Sequence, residues 1–216
     1  MFIGHFGIGF GLKRSAPGLS LGTLFLASQF IDLIWPTLLL LGMERVAIVP
    51  GITRVTPLDF THYPISHSLL AVAGWGVLFG LVYFVIRKYA AGAWICGLAL
   101  VSHWLLDFLT HRPDLPLAPG GGVKVGLGLW NSLPATLMVE FLVFGIGVWL
   151  YLRHTRAMNR RGSIGLWALL GFLVLVHLAN MFGPPPPSVP AIAWSGQAQW
   201  LIVLWGYWVD RHRKTV

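Results

Sequence analysis

The chain alternates long apolar runs with short polar links. Six runs are long enough to cross a bilayer, whose ~30 Å core takes about 20 helical residues. They cover residues 18–42, 67–86, 90–111, 132–152, 164–182 and 189–209. Each is expected to be a helix, because lipid offers backbone N–H and C=O groups no other partner. No repeat period is visible, so residues 1–216 read as a single transmembrane domain. The expected fold is an all-α integral membrane protein, a bundle of about six transmembrane helices.

The links add detail. Residues 1–12 are too short to span and are predicted to form a re-entrant or interfacial helix. Gly4, Gly7, Gly9 and Gly11 would let it pack closely. Residues 112–131 carry Pro113, Pro116, Pro119 and Gly120–Gly122, which forbid a helix. This segment is expected to lie as a loop over the outer mouth of the bundle. The run Pro184–Pro187 predicts a short, stiff turn between the last two spans.

Composition agrees with this picture. The chain is 56% hydrophobic and 10% charged, against about 25% charged residues in a soluble domain. Its 11 tryptophans suit membrane interfaces. The net charge of +8 does not imply nucleic acid, because no soluble basic face exists to bind it. With six spans, eleven Lys and Arg residues fall on one side and four on the other. That asymmetry predicts both termini in the cytoplasm. Arg45, Arg54, Arg112 and Lys124 then face outside, which is the periplasm if the membrane is a bacterial inner membrane. No secretory leader is expected, since Lys13 and Arg14 follow the first apolar stretch. Cys96 stands alone in an apolar run and reads as packing.

Ionisable residues inside a membrane are costly, so each needs a partner or a function. They are Asp32, His67, His103, Asp107, His111, Glu140 and His177. Counting about 1.5 Å per residue puts Asp32 near mid-depth and the histidines in the outer half, with Glu140 about 12 Å below the outer surface. One shared site open to the outer face is the simplest account. His103, Asp107 and His111 follow one another at steps of four, so they form one stripe on a helix, drifting about 40° per step. Imidazole and carboxylate at that spacing can bind a divalent cation, or can pack one helix on another through a His–Asp hydrogen bond. Pro64 and Ser66 place His67 in the first turn of the next span, with Ser66 as its cap. The positive end of that helix would favour the neutral, metal-binding imidazole. His62 and Asp59 precede it on the outer loop, as acid–base groups, ligands or solvated loop residues. His177 reads as a ligand or as a hydrogen-bond partner of Asn180. Glu140 reads as a ligand, a base or a partner of Arg112 or Lys124. His154, Asp210 and His212 read as surface.

Taken together, His5, Asp32, His67-Ser68 and His103, Asp107 and Thr110 give a pattern that resembles the YdjM-like family of membrane-bound metal-dependent hydrolases. The resemblance covers residues 1–130 and is more distantly similar to zinc-dependent phospholipase C, an all-helical enzyme with His and Asp ligands. One departure is clear: the family's Pro-Asp-x-Asp in the first span is here Phe30-Ile31-Asp32-Leu33-Ile34, with one acid fewer. By the topology above His5 lies on the cytoplasmic side, and it joins the site only if residues 1–12 re-enter the membrane.

The resemblance implies a hydrolase with a divalent metal, zinc, and the site's place near the outer leaflet, with the same analogy, favours a lipid or lipid-linked substrate such as a phosphoester. Asp32, His67, His103 and Asp107 would hold the metal, with His5 or His111 as further ligands and Glu140, His62 or Asp59 as base or acid. Two other readings stay open. The same groups would bind a passing proton or cation in a transporter or channel, or would only join helices in a scaffold.

Overall fold

The computed structural model describes residues 1–216. The chain starts with α1 (Ile3–Leu12), α2 (Leu21–Ser28) and α3 (Phe30–Leu40), then an antiparallel pair of strands, β1 (Arg45–Ile48) and β2 (Leu58–His62). A four-residue helix, α4 (Pro64–His67), leads into the antiparallel hairpin of α5 (Leu69–Arg87) and α6 (Ala90–Thr110). Strands β3 (Leu115–Pro116) and β4 (Lys124–Val125) and a 3-10 turn at Leu129–Asn131 follow. The chain ends with α7 (Leu133–His154), β5 (Thr155–Ala157), α8 (Arg160–Phe182), α9 (Val189–Gln197), α10 (Gln199–Asp210) and β6 (Arg213–Thr215).

Four helices, α5, α6, α7 and α8, are long and apolar enough to cross a membrane. The α2–α3 pair makes a fifth if its two halves, bent by 55°, count as one span. The first apolar run is therefore not the straight helix that hydropathy predicts. Gln29 leaves helical geometry between α2 and α3 (φ −107°, ψ 3°). The last run is interrupted at Ala198, leaving halves of 9 and 12 residues. The two interrupted runs lie side by side, α9 against α3 and α10 against α2.

Helix α1 fills the centre of the bundle. Its Ile3, Phe6 and Phe10 are fully buried, and Phe6 and Phe10 meet Phe25 edge-on. On the α7 side the backbones touch: a Cβ on Gly147 would lie 1.9 Å from the Gly7 carbonyl oxygen. Small residues are what such an approach needs, and the close packing expected of the N-terminal glycines is present at Gly7. Residues 1–12 are thus a buried helix within the bundle.

The two ends of the bundle differ. At one end β5 pairs with β6, and Lys13 is buried, donating to the Leu19 carbonyl at 2.6 Å and to Asp210 at 3.1 Å. Asp210, expected at the surface, is therefore the partner of an interior lysine. Losing one partner of a buried pair typically costs about 3–5 kcal/mol, because it strands the other charge. Lys13 is 5% exposed and Asp210 17%. Asp210→Asn should accordingly lower the unfolding midpoint in detergent more than Lys13→Met does; equal shifts would contradict the pairing. At the other end lie the β1–β2 and β3–β4 ribbons and α4, and there the ionisable groups meet.

Candidate metal centre

Helix α6 sets the frame. His103 and Asp107 lie one turn apart on its buried face, and His103 Nε2 is 3.2 Å from Asp107 Oδ2. Asp32, in the first turn of α3, brings Oδ2 to 3.5 Å from the same nitrogen. His67 ends α4, with Nε2 3.3 Å from Asp32 Oδ1 and 3.9 Å from Asp107 Oδ2. His5 arrives from α1. Its Nε2 is 3.1 Å from Asp107 Oδ1, and its ring stacks on His103 at 3.5 Å between centroids. The amino group of Met1 also donates to Asp107 Oδ1, at 2.7 Å. Two overlapping groups could hold a metal ion: His5, His103 and Asp107, and Asp32, His67 and His103. Within each, the ligand atoms lie within 4.8 Å of one another.

One atom tests whether this cluster suits a cation. His103 Nδ1 lies 2.7 Å from the Ser28 carbonyl oxygen, so Nδ1 carries the proton and donates it. Nε2 is then left buried with no hydrogen bond, although carboxylate oxygens surround it. In the neutral ring this nitrogen offers only a lone pair, and the carboxylate oxygens facing it can only accept. A buried polar atom without a partner costs roughly 1–3 kcal/mol. A cation shared by the imidazole lone pair and the carboxylates removes that cost, and the N/O donor set suits a divalent metal such as zinc.

Local sequence explains how His67 gets there, and corrects one expectation. Pro64 opens α4, as proline at a first helical position can. Ser68 then turns extended (φ −74°, ψ 140°) and caps α5 by accepting from Ala71 N. His67 therefore closes a short helix and does not open the span, and Ser68 takes the capping role expected of Ser66. Trp104 Nε1 holds this turn by donating to the His67 carbonyl at 2.9 Å.

The other predicted residues take different places. Glu140 is fully buried on α7. Its Oε2 accepts the Phe2 and Gly4 N–H groups at 2.8 and 3.3 Å. It thereby caps α1, which has no side-chain cap of its own, and it pairs with neither Arg112 nor Lys124. Its Oε1 and both ring nitrogens of His177 are buried without partners, His177 Nδ1 lying 3.9 Å from Glu140 Oε2. His111 stands at the end of the α6 stripe, outside both ligand groups. The helix stops at Thr110, and His111 turns extended (φ −64°, ψ 147°). Its Nδ1 donates to Asp114 Oδ1 at 2.9 Å. Tyr63 donates to the same oxygen at 3.0 Å, and burial raises the Tyr63 phenol above its ordinary pKa, so it keeps its proton. Arg112 binds Asp114 Oδ2 at 3.1 Å and also bridges to Asp59. Asp59 is thus engaged by Arg112, and His62 is exposed on β2 opposite Arg45. The structure brings neither to the cluster.

A cavity of about 530 Å³ joins these parts. Asp32, His67, Asp107, His111 and Glu140 line it together with Trp35, Phe60 and Trp130. It reaches the loops at 50–58 and 183–186, at the end of the bundle away from Lys13 and Asp210. Two buried acids of the site neighbourhood, Glu44 and Asp114, were not singled out in the sequence. Asp114 was findable, three residues after His111. Glu44 gave no signal beyond being an acid at the end of an apolar run. Comparison with protein-family models, with curated proteins and with solved structures finds no match to this chain.

Proposed function

We propose that this chain is a membrane hydrolase that uses a divalent metal, zinc, to cleave a lipid or lipid-linked substrate such as a phosphoester near the outer leaflet. The observation that carries the reading is His103 Nε2, buried and unpartnered among carboxylates. Asp32, His67, His103 and Asp107 would hold the metal, with His5 as a further ligand. When bound, the metal supplies Lewis acidity and a water of lowered pKa. The chain supplies the rest. His111, its Nδ1 proton fixed by Asp114, lines the same cavity as the carboxylates and would act as the base through Nε2. Trp35, Phe60 and Trp130 give that cavity apolar walls suited to a lipid-like substrate. Glu140 keeps α1, and with it His5, in place. The resemblance to the YdjM-like hydrolases supports the same chemistry.

For the orientation we propose six crossings, counting the two interrupted runs, with both termini and the eleven clustered cations in the cytoplasm. The transporter reading is weaker. The cavity is blocked toward the basic end by the packed aromatic face of α1 and by the Lys13–Asp210 pair.

Metal analysis of the full chain purified in detergent, with hydrolysis of phosphoester lipids as a second readout, tests the proposal. Stoichiometric zinc and zinc-dependent cleavage are expected. Asp114→Asn should keep the zinc and lower turnover by on the order of 10²–10⁴, the range for losing a positioned base. Protein without bound metal, or turnover unchanged by Asp114→Asn, contradicts the respective part.

A further inference from the structure

We propose that Glu44, acting through Ser66, is a positioning residue that decides which nitrogen of His67 faces the metal centre. The inference rests on the metal-centre reading of that cluster. It follows from proton counting. Glu44 is 1% exposed and Ser66 0%. The carboxylate Oε1 accepts the N–H groups of Ile65 and Ser66, both at 2.8 Å. Its Oε2 receives the Ser66 hydroxyl at 2.5 Å. A serine hydroxyl has one proton to give, and here Glu44 takes it. Toward His67 Nδ1, 2.6 Å away, Ser66 Oγ can therefore only accept. Nδ1 must carry the ring proton. In the neutral imidazole that a metal requires, Nε2 then keeps its lone pair, and it is the atom that faces Asp32 Oδ1 at 3.3 Å and Asp107 Oδ2 at 3.9 Å.

The arrangement also explains why one stretch of chain carries both Asp32 and Glu44. Asp32 lies in the first turn of α3, and Glu44 follows the turn that ends this helix, where Gly42 takes φ +69°. The segment thus grips the His67 ring from both edges, a carboxylate facing Nε2 and a carboxylate-bound hydroxyl facing Nδ1. A residue that only capped the four-residue α4 would need the two backbone contacts and nothing more. The short Oε2–Oγ–Nδ1 chain is what a cap does not require. Partners of this kind, which fix the tautomer of a metal-binding histidine, commonly contribute about 10–100-fold to metal affinity.

Glu44→Gln reverses the chain while keeping its shape. The amide NH2 cannot face the two backbone N–H groups, so it turns to Ser66 and donates. The hydroxyl must then give its proton to His67 Nδ1, which moves the ring proton to Nε2. The experiment uses the full chain in detergent, zinc ion titrated against a chelating dye, and ¹⁵N spectra of histidine-labelled protein, with His67→Gln to assign the His67 signal. Glu44→Gln and Ser66→Ala are expected to bind zinc about 10–100-fold more weakly than wild type. Ser66→Thr, which keeps the hydroxyl, should restore affinity. The ring proton should sit on Nδ1 in the wild type and on Nε2 in Glu44→Gln. Should Glu44→Gln fail to fold, the contrast between Ser66→Ala and Ser66→Thr decides. Unchanged zinc affinity in Glu44→Gln and Ser66→Ala, with the proton still on Nδ1, overturns the relay and leaves the metal centre standing. Wild-type protein that binds no zinc removes the metal centre, and the tautomer comparison then supports or overturns the relay by itself.

Discussion

With the proposed centre loaded with zinc, Asp107→Asn is expected to abolish that binding. Both oxygens of this carboxylate are committed: Oδ1 lies 3.1 Å from His5 Nε2, and Oδ2 lies 3.2 Å from His103 Nε2 and 3.9 Å from His67 Nε2. Asparagine replaces one of these oxygens with an NH2 that cannot ligate and removes a negative charge from a site that must attract a cation. The loss should exceed the ~10–100-fold that follows from removing a supporting partner alone. His62→Ala is the matching control, since His62 is exposed on β2 and should leave zinc content untouched. Metal analysis of the two variants after the same purification gives the answer. Full zinc occupancy in Asp107→Asn would sink the assignment of α6 as the frame of the centre.

Gly147→Ala is expected to be the most damaging single methyl group in the bundle. The added Cβ would lie 1.9 Å from the Gly7 oxygen, 2.6 Å from its carbonyl carbon and 2.9 Å from its Cα. All three are backbone atoms of a fully packed helix, so no side chain can swing away. Overpacking a core usually costs about 1–3 kcal/mol, and a clash with backbone belongs at the top of that range or above. Helix α1 must then move off α7, carrying His5 away from Asp107 and breaking the Glu140 cap. The unfolding midpoint in detergent and the zinc affinity should fall together. Gly145→Ala, on the same helix with nothing within 4 Å of its added methyl, should change neither. Equal behaviour of the two variants would show that α1 is not seated on α7.

These two variants touch parts of the molecule that differ in how far they can be read without coordinates. The His103–Asp107 spacing announces a helical stripe, because helix geometry alone puts residues four apart on one face. Asp32 and His67 were nominated by the cost of burying ionisable groups in lipid, and His5 only by likeness to a family pattern. Its position appeared inconsistent with the topology, since a helix of ten residues does not reach across a bilayer. Burial inside the bundle removes the conflict: α1 needs no full crossing to deliver His5. His111 shows the opposite failure. It continues the stripe in sequence, but the helix stops at Thr110 and hands it to Asp114.

What the sequence determined by itself is the solvent and its consequences: apolar helical runs, a charge asymmetry between their ends, and a few ionisable groups that lipid would not tolerate without partners. These follow from local composition and from helical periodicity. Tertiary structure alone decided where the helices break, that α1 is buried, that Lys13 pairs with Asp210, and that Glu44 reaches His67 through Ser66. Each depends on which side chain meets which across 20 to nearly 200 residues of chain. A helix break at Gln29 costs backbone hydrogen bonds that only its surroundings can offset, and part of that offset is the Ser28 carbonyl, which accepts from His103. Proton direction at His67 is likewise a property of three residues in contact, and no one of them carries it in the sequence.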